Sequence, residues 1–427
     1  MDLRYTAEDE AFRARVRAWL AHHAPRAPLR TVAAKKAWHR ALYEAGYLGM
    51  GWPRAYGGRE ARPIEQAIVV EEMARANAPG SVNWAGLGLV GPTLIHHGTA
   101  AQRERYLRPI LLGDEIWCQL YSEPNAGSDL ASLRTRADLQ DCAWSGRDGD
   151  HFVVNGQKIW TSTAPEADLG ILLARTDPQD AAWGRRDAPK HQGISYLIVD
   201  MHQPGIEVRP LRQLTGIADE FAEVFFTDAR VPADNLIGEL HAGWRIAQTT
   251  LSYERGGDTM GIVARLQRSF ARLLEIVGTP RGDGTRRVDD PLVRQKLGQI
   301  MAEIEVLRYT SLRILSTLEQ GGQPGPESSI AKLHYSELDK RVNTLMLEIL
   351  GPFGQLTAGV PAAYAYAADG RADAHGNWPY LFMLPFAETI YAGSSEIQKN
   401  IIGERVLGLP KEVRADRLAR AAGVRGR

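Results

Sequence analysis

The sequence predicts an α+β protein of three successive parts: a helical N-terminal domain (1–118), a middle antiparallel β-barrel or sandwich domain (119–232) and a C-terminal helical bundle (233–427). Three observations carry this. Apolar residues recur at helical spacing as far as about Gly113, short β-rich runs replace them in the middle third, and long helical periods return from about Pro232. A chain of 427 residues is also roughly two to three times a typical domain, long enough to bury a core without staples.

In the first part, the segment from Ala7 to Ala24 places Phe12, Val16, Trp19 and Leu20 at helical spacing, with Thr6 as the N-cap. A second helical period runs from Ile64 to Asn77, and Pro53, Pro63, Pro79 and Pro92 punctuate the segment. In the middle part, His151–Ser162 reads as a hairpin, because Asn155-Gly156 is the dipeptide that a type I′ turn favours. Four further β-rich runs follow, separated by Asp, Pro and Gly. In the last part, the periods Trp244–Val277, Asp290–Gln320 and Glu327–Leu350 are long enough to form a bundle whose core lies between them. The tail from Val413 reads as a frayed basic end.

Composition excludes several classes of function. Lys plus Arg equal Asp plus Glu at 51 each, which argues against a nucleic-acid binder. No run of about 18 apolar residues is present to span a membrane. The polar, acidic start MDLRYTAEDE does not resemble a signal peptide, so a cytoplasmic location is expected. Cys118 and Cys142 lack metal-ligand spacing and cannot make a disulfide framework. The neighbours His22-His23 and His96-His97 point about 100° apart on a helix and read as structural, so no metal is expected.

Gly86-Leu87-Gly88-Leu89-Val90-Gly91 matches GxGxxG, but it lies in a helical region with no strand before it and Pro92 directly after it. It reads as close helix packing over small residues rather than as a nucleotide loop. Two other segments combine small residues with hydroxyl and amide donors. Tyr121–Asp129 is a loop that can bring N–H groups and serines to a phosphate or a ring edge. Tyr391–Gln398 opens a helix with Gly393, Ser394 and Ser395, which suits a cap.

Together, YSEPNAGSDLAS, NGQKIWTS, GISYLIVD, FAEVFFTDARVPADNLIGE, LEILGPFG and IYAGSSEIQKNIIGERVLGLP occur in one order, and with them the chain resembles the acyl-CoA dehydrogenase family from about Thr6 to Lys411. The resemblance implies the three-part fold with a C-terminal four-helix bundle. It also implies FAD-dependent oxidation of an acyl-CoA thioester to the trans-2-enoyl-CoA. A carboxylate removes the α-proton, the β-hydrogen leaves as hydride to flavin N5, and an electron-transfer flavoprotein takes the electrons. Many members draw the base from a Tyr-Glu-Gly triplet, where this chain has Tyr391-Ala392-Gly393. A branch exemplified by isovaleryl- and long-chain enzymes uses a Leu-x-x-Glu-Arg helix, matched here by Leu251-Ser252-Tyr253-Glu254-Arg255.

Glu254 is therefore the expected base, and an apolar pocket would raise its pKa toward the working range. The Ala392 N–H is the expected donor to the thioester carbonyl. By the same matching, Gln119, Tyr121 and Ser122 line the flavin ring and Ser128 lies near the pyrophosphate and the substrate. Trp160, Thr161 and Ser162 pack on the ring, and Ser394 and Glu396 contact the adenosine part. Tyr253, Arg255, Tyr391 and Gly393 border the acyl-CoA. Arg287, Glu348 and Gly351 match the part of the site that a neighbouring subunit supplies, although the usual Phe-Gly after the arginine is missing. A homotetramer is expected, with a homodimer or a mixed-chain tetramer as alternatives. Two other functions stay open on this fold: a flavin monooxygenase or oxidase, and a non-catalytic partner in a mixed-chain dehydrogenase.

Overall fold

The computed structural model describes residues 5–140, 150–177, 189–217, 220–254, 259–322, 324–357, 359–366 and 377–411. Cys142, Arg255 and the tail from Val413 lie outside the described residues. Helix α1 (Ala7–His23) begins at Thr6 with a reciprocal cap. The Asp9 N–H donates to Thr6 Oγ1 at 3.1 Å, and the Thr6 N–H donates to the Asp9 carboxylate at 2.9 Å. Val16 and Leu20 pack with Trp38 and Leu42 of α2 (Val32–Glu44) and Val69 of α3 (Pro63–Arg75). Glu71 and Glu72 of α3 are buried, and Arg13 of α1 answers them at 2.6 and 3.0 Å.

The GxGxxG segment forms a widened, π-type turn at Gly86–Val90 that runs directly into α4 (Gly91–His97), with α5 (Ala100–Leu112) behind it. Pro92 does not break this path. The backbone stays helical through Val90 and Gly91, and the widened turn just before the proline re-spaces the hydrogen-bond ladder where its N–H is missing. The glycine is there for packing: a Cβ on Gly91 would lie 1.9 Å from the indole of Trp52. Gly91→Ala is expected to lower the urea midpoint with an unchanged m-value, a loss of about 1–3 kcal/mol from overpacking. His23 stacks on Trp19 at 4.6 Å between centroids, and His97 Nε2 bonds the Thr249 hydroxyl at 3.0 Å.

Among the described residues, seven strands follow: β1 (Trp117–Leu120), β2 (Arg136–Gln140), β3 (His151–Ser162), β4 (Leu169–Arg175), β5 (Ile194–Asp200), β6 (Ile206–Leu211) and β7 (Phe221–Pro232). Their order is β1-β4-β2-β3-β7-β6, with β5 on the other edge of β4. Two expectations are corrected here. The sheet is mixed, because β1 runs parallel to β4 and β2 meets β4 through the parallel pair Arg136–Arg175. His151–Ser162 is one continuous strand and not a hairpin. β2 pairs with its first half, β7 runs along its whole length, and Asn155-Gly156 forms an irregularity in the pairing. Gly156 is required there because its φ is +152° and a Cβ would meet Thr135 Cα at 2.7 Å.

One face of the sheet closes over Phe152, Val154, Leu172, Leu197, Val224 and Val231. The other shares a core with the N-terminal helices and with α6 (Gly243–Glu254): Trp52, Tyr106, Trp117, Ile171, Tyr196 and Ile246 belong to one cluster. The helical period expected over Trp244–Val277 is carried by α6 and by α7 (Thr259–Gly278), with 255–258 outside the described residues. Helix α7 packs with α8 (Pro291–Glu319), α9 (Ser328–Leu350) and α10 (Trp378–Glu388) around Phe270, Leu307, Leu338 and Trp378, while α11 (Ser395–Ile401) lies on α9. Among the described residues, no helix is long and apolar enough to cross a membrane.

Candidate active site

Two chain segments that are far apart in sequence are tied together at the end of β1. Ile159 of β3 donates its N–H to the Ser122 carbonyl at 2.9 Å. One residue earlier, Lys158 is fully buried and donates to the Tyr121 carbonyl at 3.0 Å and to Glu123 Oε1 at 2.9 Å. The same Glu123 carboxylate accepts the N–H groups of Arg134 and Thr135 at 2.6 and 2.8 Å. Burial pushes the Glu123 carboxyl up, but the Lys158 ammonium and the Thr135 donor outweigh it and hold the group below its usual range. Both residues lie inside the segments singled out from sequence, yet the link between them was missed. An ionic residue alternating with apolar ones in a strand was the available signal.

This buried pair fixes the bulge that presents Trp160. The register between β3 and β7 shifts between Lys158 and Thr161, and Trp160 adopts φ +59°. A bulky side chain in that region is uncommon and strained, so the bulge re-aims the indole for a purpose. Trp160 stays 60 % exposed, edge-on to Phe221 at 6.4 Å, although it lies in the middle of a sheet protein. Next to it, the Thr161 hydroxyl is buried without a hydrogen-bond partner among the described residues and is closed to solvent, so the exposed indole of Trp160 is the surface that a planar ring could meet. Ser162 is half-buried on the same strand, as is Gln119 on β1.

Tyr121 is 5 % exposed and its side chain turns inward. Its hydroxyl donates to that of Tyr196 at 2.8 Å, Tyr196 bonds Thr250 of α6 at 3.0 Å, and Thr250 bonds Thr93 of α4 at 2.8 Å. This row of buried hydroxyls locks α6 to the sheet one helical turn before Glu254, the last residue of α6. Tyr253 is partly exposed beside His96, with ring centroids 6.1 Å apart. Ser128 is exposed on the loop after β1, next to an Asp129–Lys190 ion pair.

The turn after α10 holds Tyr391, Ala392 and Gly393. Ala392 and Gly393 have φ of +50° and +87°, and their carbonyls accept from Gln398 Nε2 at 3.0 and 3.3 Å. Ser394 caps α11 by accepting the Ile397 N–H at 3.3 Å, and Glu396 is exposed in the first turn. Arg287 and Gly351 lie at the other end of the bundle, as does Glu348, which pairs with Lys296 at 2.6 Å. Lys332, which touches the Tyr391 turn, and Glu348 are separated on α9 by 16 residues, about 24 Å at 1.5 Å per residue. The structure therefore joins the Gln119–Ser122 and Trp160–Ser162 groups. Arg287, Glu348 and Gly351 are left far from the Tyr391–Glu396 turn within one chain.

The comparisons with known proteins agree along the chain. Residues 6–114, 118–229 and 241–407 match, respectively, the N-terminal, middle and C-terminal domains of acyl-CoA dehydrogenase. The acyl-CoA dehydrogenase IpdE1 of Mycolicibacterium smegmatis is 40 % identical over 421 residues, covering 95 % of this chain and 99 % of that protein. Its namesake from Mycobacterium tuberculosis is 38 % identical, with coverage of 95 % and 99 %. Among solved structures, the Tcur3481-Tcur3483 steroid ACAD superposes with a TM-score of 0.79 at 30 % identity, over 96 % of this chain and 100 % of that one. The ChsE4-ChsE5 complex from Mycobacterium tuberculosis gives a TM-score of 0.77 at 32 % identity, with coverage of 96 % and 100 %.

Proposed function

Because the chain belongs to the acyl-CoA dehydrogenase family, an oxidoreductase family whose cofactor is FAD, we propose that it converts an acyl-CoA thioester to the trans-2-enoyl-CoA with Glu254 as its base and an electron-transfer flavoprotein as its acceptor. Bound FAD supplies the hydride acceptor. Trp160 and Ser162 would hold its ring from β3 and Gln119 and Ser122 from the end of β1, Thr161 and Tyr121 would contribute backbone only because their side chains are buried, and Ser128 would meet the pyrophosphate. The supporting observation is the exposed Trp160 at a strained bulge tied to the end of β1.

An α-proton of a thioester is too weakly acidic for a carboxylate acting alone, so the developing negative charge on the carbonyl oxygen needs a fixed donor. The Ala392 N–H serves as that donor, on a turn whose carbonyls Gln398 already restrains. Glu254 takes the proton from Cα, and the hydroxyl row through Thr250 holds its helix in place. The acyl group in this reading is wide and ring-bearing. Alanine at 392 removes the bulk of a glutamate beside the reacting carbons, and a 30 % identical neighbour is a steroid ACAD.

The direct test is the visible spectrum of the purified protein under anaerobic conditions, before and after addition of straight, branched and ring-bearing acyl-CoA esters. Flavin absorbance that bleaches with the wide esters is the expected result. Faster bleaching by short straight chains would overturn the acyl assignment. Oxygen consumption with turnover would replace the dehydrogenase reading by an oxidase.

Arg287, Glu348 and Gly351 are assigned to the FAD site of a neighbouring subunit in a tetramer, which their separation from the Tyr391–Glu396 turn supports. A mixed-chain tetramer is the second reading, favoured by two solved relatives, the Tcur3481-Tcur3483 steroid ACAD and the ChsE4-ChsE5 complex. Native mass and flavin content of the chain expressed alone separate the two, since a colourless protein that turns yellow with a partner requires the mixed assembly. Trp160→Ala is expected to change stability by less than about 0.5 kcal/mol, as for an exposed residue, while flavin is lost on gel filtration.

A further inference from the structure

The end of α10 carries a buried acid pair that the reading above does not use. Glu388, 2 % exposed, keeps its Oε2 buried without a hydrogen-bond partner among the described residues, and the charge of the Asp339 carboxyl on α9, itself 7 % exposed, acts on it. Arg265 of α7 donates to Glu388 Oε1 at 3.2 Å, and Asn343 donates to the Asp339 carboxylate at 2.8 Å. Two neighbouring carboxyl groups out of water resist being ionised together, and a buried carboxyl oxygen without a donor is satisfied by a proton. The Glu388 carbonyl accepts from Lys332 Nζ at 2.5 Å, and that ammonium lies 6.0 Å from the Tyr391 ring centroid. The next carbonyl, of Thr389, accepts the Ser395 N–H at 2.9 Å, and the Tyr391 N–H reaches back to Ala387 at 3.0 Å. Helices α7, α9 and α10 thus meet at the root of the turn that carries Ala392. In the sequence, Asp339 and Asn343 fall on the buried stripe of α9 between Leu338, Val342 and Met346, and that polar interruption was the readable signal.

We propose that a single proton shared by Glu388 and Asp339 and clamped by Arg265 is a positioning device that sets the turn presenting the Ala392 N–H to the thioester. This rests on the reading of Ala392 as the carbonyl donor. The charged and titratable groups facing the pair are Arg265 from α7, Lys332 from α9 and Tyr391 from the turn itself. Burial first, and then the charge of Asp339, push the Glu388 carboxyl up to about 7 against Arg265 and Lys332. Burial also raises Asp339. Burial and the charge of Glu388 raise the Tyr391 phenol, which stays neutral. The folded protein therefore holds this proton more tightly than the unfolded chain does. The stability it confers is full below the ordinary carboxyl value of 4.5, falls as pH rises toward about 7, and is then lost. Above that point the pair carries a second buried negative charge against Arg265 and Lys332, and the turn loosens.

The test uses the holoenzyme. The infrared band of a protonated carboxyl is expected at pH 6, titrating near neutrality and absent in both Glu388→Gln and Asp339→Asn. The thermal midpoint should fall between about pH 4.5 and 7 in the natural protein and more shallowly in Glu388→Gln. With the ester from the spectral panel that bleaches the flavin fastest, the natural protein should reduce more slowly as pH rises through 7. Glu388→Gln, which keeps the hydrogen bond without the titration, should lose that decline, whereas Glu388→Ala should slow reduction by about 10- to 100-fold with little change in ester binding. An absent band, or a Glu388→Gln pH profile that follows the natural protein, overturns the proposal. If no ester bleaches the flavin, the reaction assignment fails, while the band and the midpoint still decide the shared proton.

Discussion

Glutamine at position 254 is expected to give a yellow protein that still binds acyl-CoA but reduces its flavin about 10²–10⁴-fold more slowly, the usual contribution of a positioned general base. Stopped-flow anaerobic bleaching measures this directly. The substitution is nearly isosteric, and α6 stays anchored because Thr250, one turn earlier, keeps its bonds to Tyr196 and Thr93. A slowed reaction with unchanged ester affinity is the signature of an interaction made in the transition state only. Unchanged bleaching would move the base elsewhere, since the triplet at Tyr391-Ala392-Gly393 offers no carboxylate.

The largest loss of stability is expected from Lys158→Met. The methionine fills the space but leaves the Glu123 carboxylate, 8 % exposed, without its cation, and breaking a buried pair from one side costs about 3–5 kcal/mol. Because Lys158 also holds the Tyr121 carbonyl, the loop from Tyr121 to Asp129 loses its tie to the Trp160 bulge, and flavin should be lost together with stability. Urea unfolding and flavin content on the same preparation check both. Replacing both partners, Glu123→Gln with Lys158→Met, should recover part of the stability, because no buried charge then remains unpaired. As the Glu123 carboxyl is held below its usual range, its own contribution is present at neutral pH and is lost on acidification through the folded-state value, while burial lowers Lys158 against the pull of Glu123.

Much of the architecture was legible because it rests on local periodicity. The N-cap at Thr6, the run that became α3 and the long helices α8 and α9 follow from apolar spacing and capping chemistry alone. Asn155-Gly156 misled because its turn preference is worth less than the ladders on both sides of β3. The glycine answers the close approach of Thr135 and not a reversal of the chain. In the site, the two loop segments were legible as segments. The Glu123–Lys158 tie crosses 35 residues and the Asp339–Glu388 pair joins two helices, so the polar interruptions at Lys158 and Asp339 are local but their partners are not. The φ of Trp160 was likewise invisible, since it follows from a register shift between two strands.

The cluster that runs from Trp52 and Tyr106 through Ile171 and Tyr196 to Ile246 has a consequence for recombining this protein with its relatives. Its members come from the N-terminal helices, the sheet and α6, so the borders between the three matched segments cut through a packed interior. Chimeras spliced near residues 115 or 235 inherit half of a jigsaw from each parent and should express poorly unless the facing residues travel together. A cut within the bundle-only core around Phe270 and Leu338 leaves that interior whole. The natural unit of exchange in this chain is the buried contact set, which no linear stretch of the sequence contains.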